Sequence, residues 1–220
     1  IAYGIPFVNV SLGGKCFIGK KLRITTGVHY SLVGSLGTRI LVGHSGVLKI
    51  GDNVGMSNAT IVAQESVTIG NNVTSIDDRA FFSCSSLTSI TIPDSVTEIG
   101  RETFIYCENL TSITIPDGVT EIGDSAFEGC SSLQSIVIPD SVTLIGHGAF
   151  WGCSSLQRID IPDSVTEIGR CAFMGCSSLQ SINVSNDNMH FASVDGILFN
   201  KDLTIIVRFP EQYDVTEYVI

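Results

Sequence analysis

The sequence predicts a mainly β solenoid, in which short strands wind through successive coils that stack on one continuous core. Three observations carry this prediction. A 23-residue phrase starts at Val73, Val96, Val119, Val142 and Val165 without losing phase. A shorter, near-hexapeptide pattern precedes it, in LKIGDNVGMSNATIVAQESVTIGNNV from Leu48 onward. The 220 residues are 44% apolar and only 15% charged, which supplies a core and gives no sign of disorder. Apolar runs are a few residues long, so no membrane-spanning helix is predicted.

The first element is the hexapeptide-like segment. Ile50-Gly51, Met56-Ser57, Val62-Ala63 and Ile69-Gly70 open its units, with Val54 and Val73 at the small or β-branched position. Cys16-Phe17-Ile18-Gly19-Lys20-Lys21-Leu22 is a looser copy. Such units build a triangular parallel β-helix of about three units per coil. The segment resembles the front half of the left-handed β-helix O-acetyltransferases over roughly residues 4–73, which implies a short left-handed parallel β-helix at the start of the chain. Enzymes of that family carry a catalytic histidine shortly after the IGNNV coil, in a loop reading approximately D-T-D-F-H. There the imidazole takes a proton from the acceptor hydroxyl. Here IGNNV is followed by TSIDDRAFFSCSSL, and the next histidine is His147. His29 and His44 precede the coil and match no family motif. No catalytic residue and no acetyl-CoA-binding residue therefore carries over. Ser57 and Asn58 match the family and read as coil-turn residues.

The second element is the 23-residue phrase V-T-x-I-x-x-x-x-F-x-x-C-x-x-L-x-x-I-x-I-P. Its columns include Ile76, Ile99, Ile122, Ile145 and Ile168; Phe81, Phe104, Phe127, Phe150 and Phe173; and Leu87, Leu110, Leu133, Leu156 and Leu179. LxxIxIP reads as a strand with inward Leu, Ile and Ile, Pro-Asp turns the chain, VTEI is a second extended segment and GxxAFxxCxxL is the return. One coil alone cannot complete its core or pair its strands, so each must stack on the next. These features resemble the leucine-rich repeats of the BspA-like (Treponema-type) family over about residues 73–184. The tail, with FASVDGILFNKDLTIIVRFPEQY, is similar to a segment common in that family, and GILF and TIIVRF read as hairpin strands around Asn200-Lys201-Asp202. The resemblance implies a right-handed leucine-rich-repeat solenoid, with residues 1–72 forming an N-terminal cap and 73–220 the repeats and hairpin. The chain stops at EYVI, where such proteins run on into another turn, so a longer natural protein is expected.

Subtracting one period from Ile92, Pro93, Asp94 and Val96 lands on Ile69, Gly70, Asn71 and Val73. IGNNV therefore stands where IPDSV stands in later coils, and the two patterns are expected to share a phase.

Cys84, Cys107, Cys130, Cys153 and Cys176 form one column. Neighbouring coils lie about 4.8 Å apart, whereas a disulfide wants Cβ atoms about 3.8 Å apart, so a ladder of buried thiols is favoured. Thiolates in a line do not converge on zinc, and no metal site is predicted. Asp94, Asp117, Asp140 and Asp163 form an acidic ladder whose simplest role is supporting the turn after each proline.

Columns that vary between constant neighbours are the candidates for partner contact. On the strand these are Thr91, Thr114, Val137, Asp160 and Asn183, with Arg158 breaking a column of serines. In a leucine-rich repeat such positions line the concave sheet. On the return they are Phe82, Ile105, Glu128, Trp151 and Met174, a stripe either exposed for a partner or packed beneath a neighbouring coil.

Charge is uneven. Residues 1–72 carry six Lys/Arg against Asp52 and Glu65, a net of +4, while residues 73–220 carry six against twenty Asp/Glu, a net of −14. An acidic body argues against nucleic acid as the partner. The leading expectation is a noncatalytic protein- or glycan-binding adhesion module of a bacterial-type surface protein, extracellular or at the cell surface, without a cofactor. Oligomerisation through the β-helix segment is open. The rivals are an O-acyltransferase completed by another subunit, and a truncated fusion product without activity. The chain begins at Ile1 with no basic leader region, which leaves a removed signal peptide and an excised piece equally open.

Overall fold

The computed structural model describes residues 73–212 without a break and, ahead of them, seven strands: β1 (Lys15–Ile18), β2 (Leu22–Thr25), β3 (Val28–Tyr30), β4 (Thr38–Val42), β5 (Val47–Ile50), β6 (Ala59–Val62) and β7 (Ser66–Ile69). Each repeat coil then contributes two strands. These are β8 (Ser75–Ile76) and β9 (Ser89–Thr91), β10 (Glu98–Ile99) and β11 (Ser112–Thr114), β12 (Glu121–Ile122) and β13 (Ser135–Val137), β14 (Leu144–Ile145) and β15 (Arg158–Ile161), and β16 (Glu167–Ile168) and β17 (Ser181–Val184). A hairpin sheet of β18 (Phe191–Val194), β19 (Ile197–Asn200) and β20 (Ile206–Arg208) follows. Ser57, Asn58, His44 and the terminal EYVI lie outside the described residues.

Coils stack in register at the sequence period. The even-numbered strands β8 to β16 form one parallel sheet of five, with Ile76, Ile99, Ile122, Ile145 and Ile168 in line. On the other side β11 pairs with β13 and β15 with β17, again parallel. Strand positions alternate buried and exposed, the period-two signature of a sheet with one face on the core. Between the two sheets lie Phe81, Phe104, Phe127, Phe150 and Phe173, stacked nearly parallel with centroids 5.2, 5.3, 5.5 and 5.7 Å apart.

The return segment is held by a third ladder. In one coil, Glu102, Phe104 and Tyr106 N–H donate to the carbonyls of Asp124, Ala126 and Glu128; in the next, Ser125, Phe127 and Gly129 donate to His147, Ala149 and Trp151. The flanking donors Arg79, Ser83, Glu102, Tyr106, Ser125, Gly129, Gly148 and Gly152 adopt left-handed backbone, as do Cys171 and Gly175 in the last coil. That conformation turns alternate N–H groups toward the neighbouring coil.

The cysteine column is the buried thiol ladder expected. Cys84, Cys107, Cys130, Cys153 and Cys176 are buried thiols, and Cys107, Cys130, Cys153 and Cys176 Sγ each lie 3.2 Å from the carbonyl of a phenylalanine in the preceding coil. Burial pushes the Cys130 and Cys176 thiols up to about 12. Cys153 is raised by the same cause, and Cys107 by its neighbour Cys84 together with burial.

The chain changes its coil length at the join between the two sequence patterns. Val47 faces Ser66 across the parallel pair β5·β7, nineteen residues on. Ser66 in turn faces Ser89 across β7·β9, twenty-three residues on. One sheet thus runs through both patterns, and the shared phase is real.

The short parallel β-helix expected over residues 4–73 needs correction in its strand directions. Parallel pairing is present in β4·β6 and β5·β7, but β1·β2, β2·β5 and β3·β4 are antiparallel. Only three residues separate Ile18 from Leu22, and such a short connection joins antiparallel strands, whereas a parallel pair needs a crossover. The two strands that carry the loose hexapeptide copy, β1 and β2, therefore pair antiparallel.

At the far end, Asn188 takes the place of Val165 one period later and is fully buried. Its Nδ2 donates to the carbonyls of Pro162 (2.8 Å) and Val165 (2.9 Å), and its Oδ1 accepts from the N–H groups of His190 and Phe191, both at 2.8 Å. Gly175 N–H, where the return ladder would continue, donates instead to Glu211 Oε1 at 3.0 Å. The hairpin and the segment after it so terminate the repeat ladders.

Candidate functional site

Two surfaces hold the sequence candidates. The first is the outer face of the odd-numbered strands β9, β11, β13, β15 and β17. Thr91, Thr114, Val137, Arg158 and Asp160 are exposed there, and Asn183 is half-buried. Val137 is the most open of the apolar ones, at 73% exposure. Its inward neighbours Ile136 and Ile138 are buried, so this valine is held in solvent by the strand alternation itself.

Arg158 and Asp160 project from the same side of β15, two residues apart. Arg158 Nε lies 2.9 Å from Asp160 Oδ1 and Nη2 lies 2.8 Å from Oδ2, a two-pronged pair. Asn183 Nδ2 donates to the same Oδ1 at 2.8 Å from the next coil. The Arg158 guanidinium, and after it Asn183, holds the Asp160 carboxyl below the usual carboxylate range. Where the strands run into the Pro-Asp turns, a groove of about 330 Å³ opens between coils, lined by Ile138, Ile161, Pro162, Asp140, Asp160 and Asn183 among others.

The second surface lies along the return segment. Trp151 and Met174 are exposed, at 41% and 43%, and Phe82 is half-buried. Ile105 departs from the expected stripe: it is buried, at 6% exposure. Its place at the surface is taken by Tyr106, 44% exposed, whose ring meets Phe82 edge-on with centroids 6.3 Å apart. Column reasoning missed Tyr106 because it occupies the column of Ser83, Gly129, Gly152 and Gly175. The signal is the glycine one period on: a Cβ at Gly129 would lie 2.5 Å from Tyr106 Cδ1, so the ring lies across bare backbone.

The acidic ladder Asp94, Asp117, Asp140 and Asp163 is exposed along the turns. Among the described residues no group of three or more His, Cys, Asp and Glu side chains is placed to hold a metal ion. Among them, too, no helix is long and apolar enough to cross a membrane.

This geometry agrees with the comparisons to known proteins. The model of the BspA type leucine rich repeat region matches in six copies, over residues 59–180 and 97–213. No curated protein matches the chain. Among solved structures, the chain is similar to the T. pallidum leucine rich repeat protein, at 30% identity and a TM-score of 0.54, over 70% of this chain and 67% of that one. It is similar to a leucine rich cell surface protein from Faecalibacterium prausnitzii, at 28% identity and a TM-score of 0.56, over 97% of this chain and 64% of that one. The pneumococcal vaccine antigen PcpA shares the fold, at 22% identity and a TM-score of 0.64, over 95% of this chain. The chain spans 59% of that antigen's length. With the repeat model matched across more than half of its residues, the chain belongs to the BspA type leucine rich repeat family.

Proposed function

We propose that the protein is a noncatalytic binding module, an adhesion or interaction unit of an extracellular or surface-displayed protein. Its ligand is a protein or a glycan, taken on the outer face of the odd-numbered strands β9 to β17. One observation carries the reading. Inward positions of the repeat keep their residue from coil to coil, while the outward column Thr91, Thr114, Val137, Asp160 and Asn183 changes at three of its four steps. Core packing explains the first pattern and leaves the second free for recognition. Similarity to a leucine rich cell surface protein supports the surface setting. Residues 1–72 act in this reading as an N-terminal cap, consistent with the sheet that runs from β5 through β7 to β9.

The experiment is a binding screen of the chain against immobilised matrix proteins and glycans, repeated with Val137→Asp, and with Thr114→Lys. A true contact face loses affinity about tenfold or more when its centre is changed, with an unchanged melting temperature. If every interaction survives both substitutions, the face is wrong. Incubation with acetyl-CoA and a panel of sugars tests the acyltransferase rival, and reproducible acetylation would end the noncatalytic reading.

A further inference from the structure

The groove that spans the third, fourth and fifth coils has a chemistry of its own. Its apolar lining is Ile138, Ile161, Pro162 and Val184, of which Pro162 and Val184 are half-buried and the two isoleucines belong to the core. Two carboxylates stand over it, Asp140 and Asp160. They are not equivalent. Asp160 is committed to Arg158 and Asn183, which also neutralises the Arg158 charge. Asp140 is exposed, and no hydrogen bond or ion pair among the described residues takes up its carboxylate. The groove therefore presents an apolar trough with one uncompensated negative charge at its rim, on a body that carries a net of −14 over residues 73–220.

Resting on the binding-module reading above, we propose that this groove seats a cationic side chain from a basic segment of a protein partner. The aliphatic stem lies on Pro162 and Val184, the half-buried apolar residues of the lining, and the charged head reaches Asp140. Lysine and arginine suit such a trough because their methylene stems bury on apolar surface while the charge stays at the rim. The Arg158–Asp160–Asn183 cluster fixes the far wall, so the trough is formed before the partner arrives. The acidic body steers a basic segment toward it and repels an acidic one.

The test uses the full chain and decalysine as probe, with Nε-acetylated decalysine as the neutral control, followed by calorimetric titration at low salt. Asp140→Asn removes the charge at the groove, and Asp117→Asn removes an equivalent charge one coil earlier on the same ladder, outside the groove. Decalysine is expected to bind the wild-type chain, the acetylated peptide not to bind, and Asp140→Asn to weaken binding about fivefold, the upper end for an exposed ion pair. Asp117→Asn is expected to leave affinity unchanged. Equal losses in the two variants, equal binding of the two peptides, or no binding of decalysine would each overturn the proposal. The two readings fail separately. Screen partners that are lost with Val137→Asp but indifferent to Asp140→Asn keep the sheet face and remove the cation groove. Partners indifferent to every sheet-face change, with decalysine still discriminating Asp140→Asn, do the reverse.

Discussion

Val67 faces Ile90 across a parallel ladder, with Ser66 opposite Ser89 and Thr68 opposite Thr91, so the 23-residue register is already set one strand before the repeat text begins. Both Val67 and Ile90 are buried, at 1% and 7% exposure, in the core that continues through all later coils. The join between the two sequence patterns is therefore a packed contact and couples its two sides. Val67→Ala is expected to cost about 2 kcal/mol and Ile90→Ala roughly 2–4 kcal/mol in urea unfolding. The double variant should differ from the sum by about 0.5 kcal/mol or more, as neighbours in contact do. Strict additivity would mean that the two sides of the join are energetically independent.

Thiol chemistry separates the ladder from the surface. Cys171 is exposed, whereas Cys84, Cys107, Cys130, Cys153 and Cys176 are buried, and four of these lie against phenylalanine carbonyls. A chromogenic disulfide reagent should modify Cys171 in the native protein within minutes and reach the ladder only when denaturant unfolds the coils. Rapid modification of Cys130 in the native state, mapped by peptide mass, would contradict the buried ladder.

The same thiols impose a sign on the pH dependence of stability. An unfolded thiol ionises near about 8.5, whereas Cys130 and Cys176 are pushed up to about 12 in the fold. Between those values the unfolded chain has lost protons that the native chain keeps. Their contribution is thus fully present below the unfolded value and is lost as pH rises toward the folded one. The urea midpoint should fall between neutral and strongly alkaline pH, and fall less steeply in Cys130→Ala. Equal slopes in the variant and wild type would assign the alkaline loss to other groups.

Much of this architecture was legible because the information is periodic. Each column of Val, Ile, Phe, Cys and Leu reports the same buried position five times, and the structure buries nearly all of them. Where the text is not repeated, local pattern was a weaker guide. The N-terminal strands follow a hexapeptide rhythm, yet strand direction depends on connection length, which put an antiparallel pair at residues 15–25. On the return segment the backbone is alike in every coil, yet Ile105 is buried and Tyr106 is exposed, because the one bulky residue in a column of serine and glycine takes the surface place that the column pattern gave to Ile105. The sheet face was legible as variable, but the Arg158–Asp160–Asn183 cluster needs the cross-coil register that places Asn183 beside Asp160.

Two glycines should respond in opposite directions. Elsewhere in the repeat, Ser95, Ser141 and Ser164 Oγ donate to the carbonyls of Val73, Val119 and Val142 at 2.7, 2.6 and 2.7 Å, and Gly118 stands in the same column. A Cβ there would meet nothing closer than 3.4 Å, with the Val96 carbonyl among its nearest neighbours. Gly118→Ser is therefore expected to stabilise by about 1 kcal/mol, through one hydrogen bond and a less flexible unfolded chain. At Gly146 a Cβ would lie 2.6 Å from Asp124 N and 2.7 Å from Gly123 C, both backbone atoms of the coil beneath. Gly146→Ala must separate coils and should cost roughly 3 kcal/mol. Thermal melts that rank the two variants the other way would refute the stacking account.

Asn188 offers the sharpest test of how the repeat is terminated. It occupies the column of Val73, Val96, Val119, Val142 and Val165, so Asn188→Val restores the repeat's own residue and on sequence grounds looks stabilising. The structure predicts the opposite. The amide satisfies two carbonyls of the last coil and two N–H groups at the start of the hairpin, all within 2.9 Å in a fully buried site. Valine takes this partner from the Val165 carbonyl and from the His190 and Phe191 N–H groups, while the Pro162 carbonyl keeps the Val165 N–H, at a cost of roughly 3 kcal/mol. The damage should be local. Amide exchange at His190 and Phe191 should accelerate strongly, while Gly146, whose N–H donates to Ile122 at 2.8 Å in the middle of the stack, should stay protected. An Asn188→Val chain as stable as wild type, with unchanged exchange at His190 and Phe191, would show that this amide does not close the repeat and that the hairpin sheet caps the last coil by packing alone.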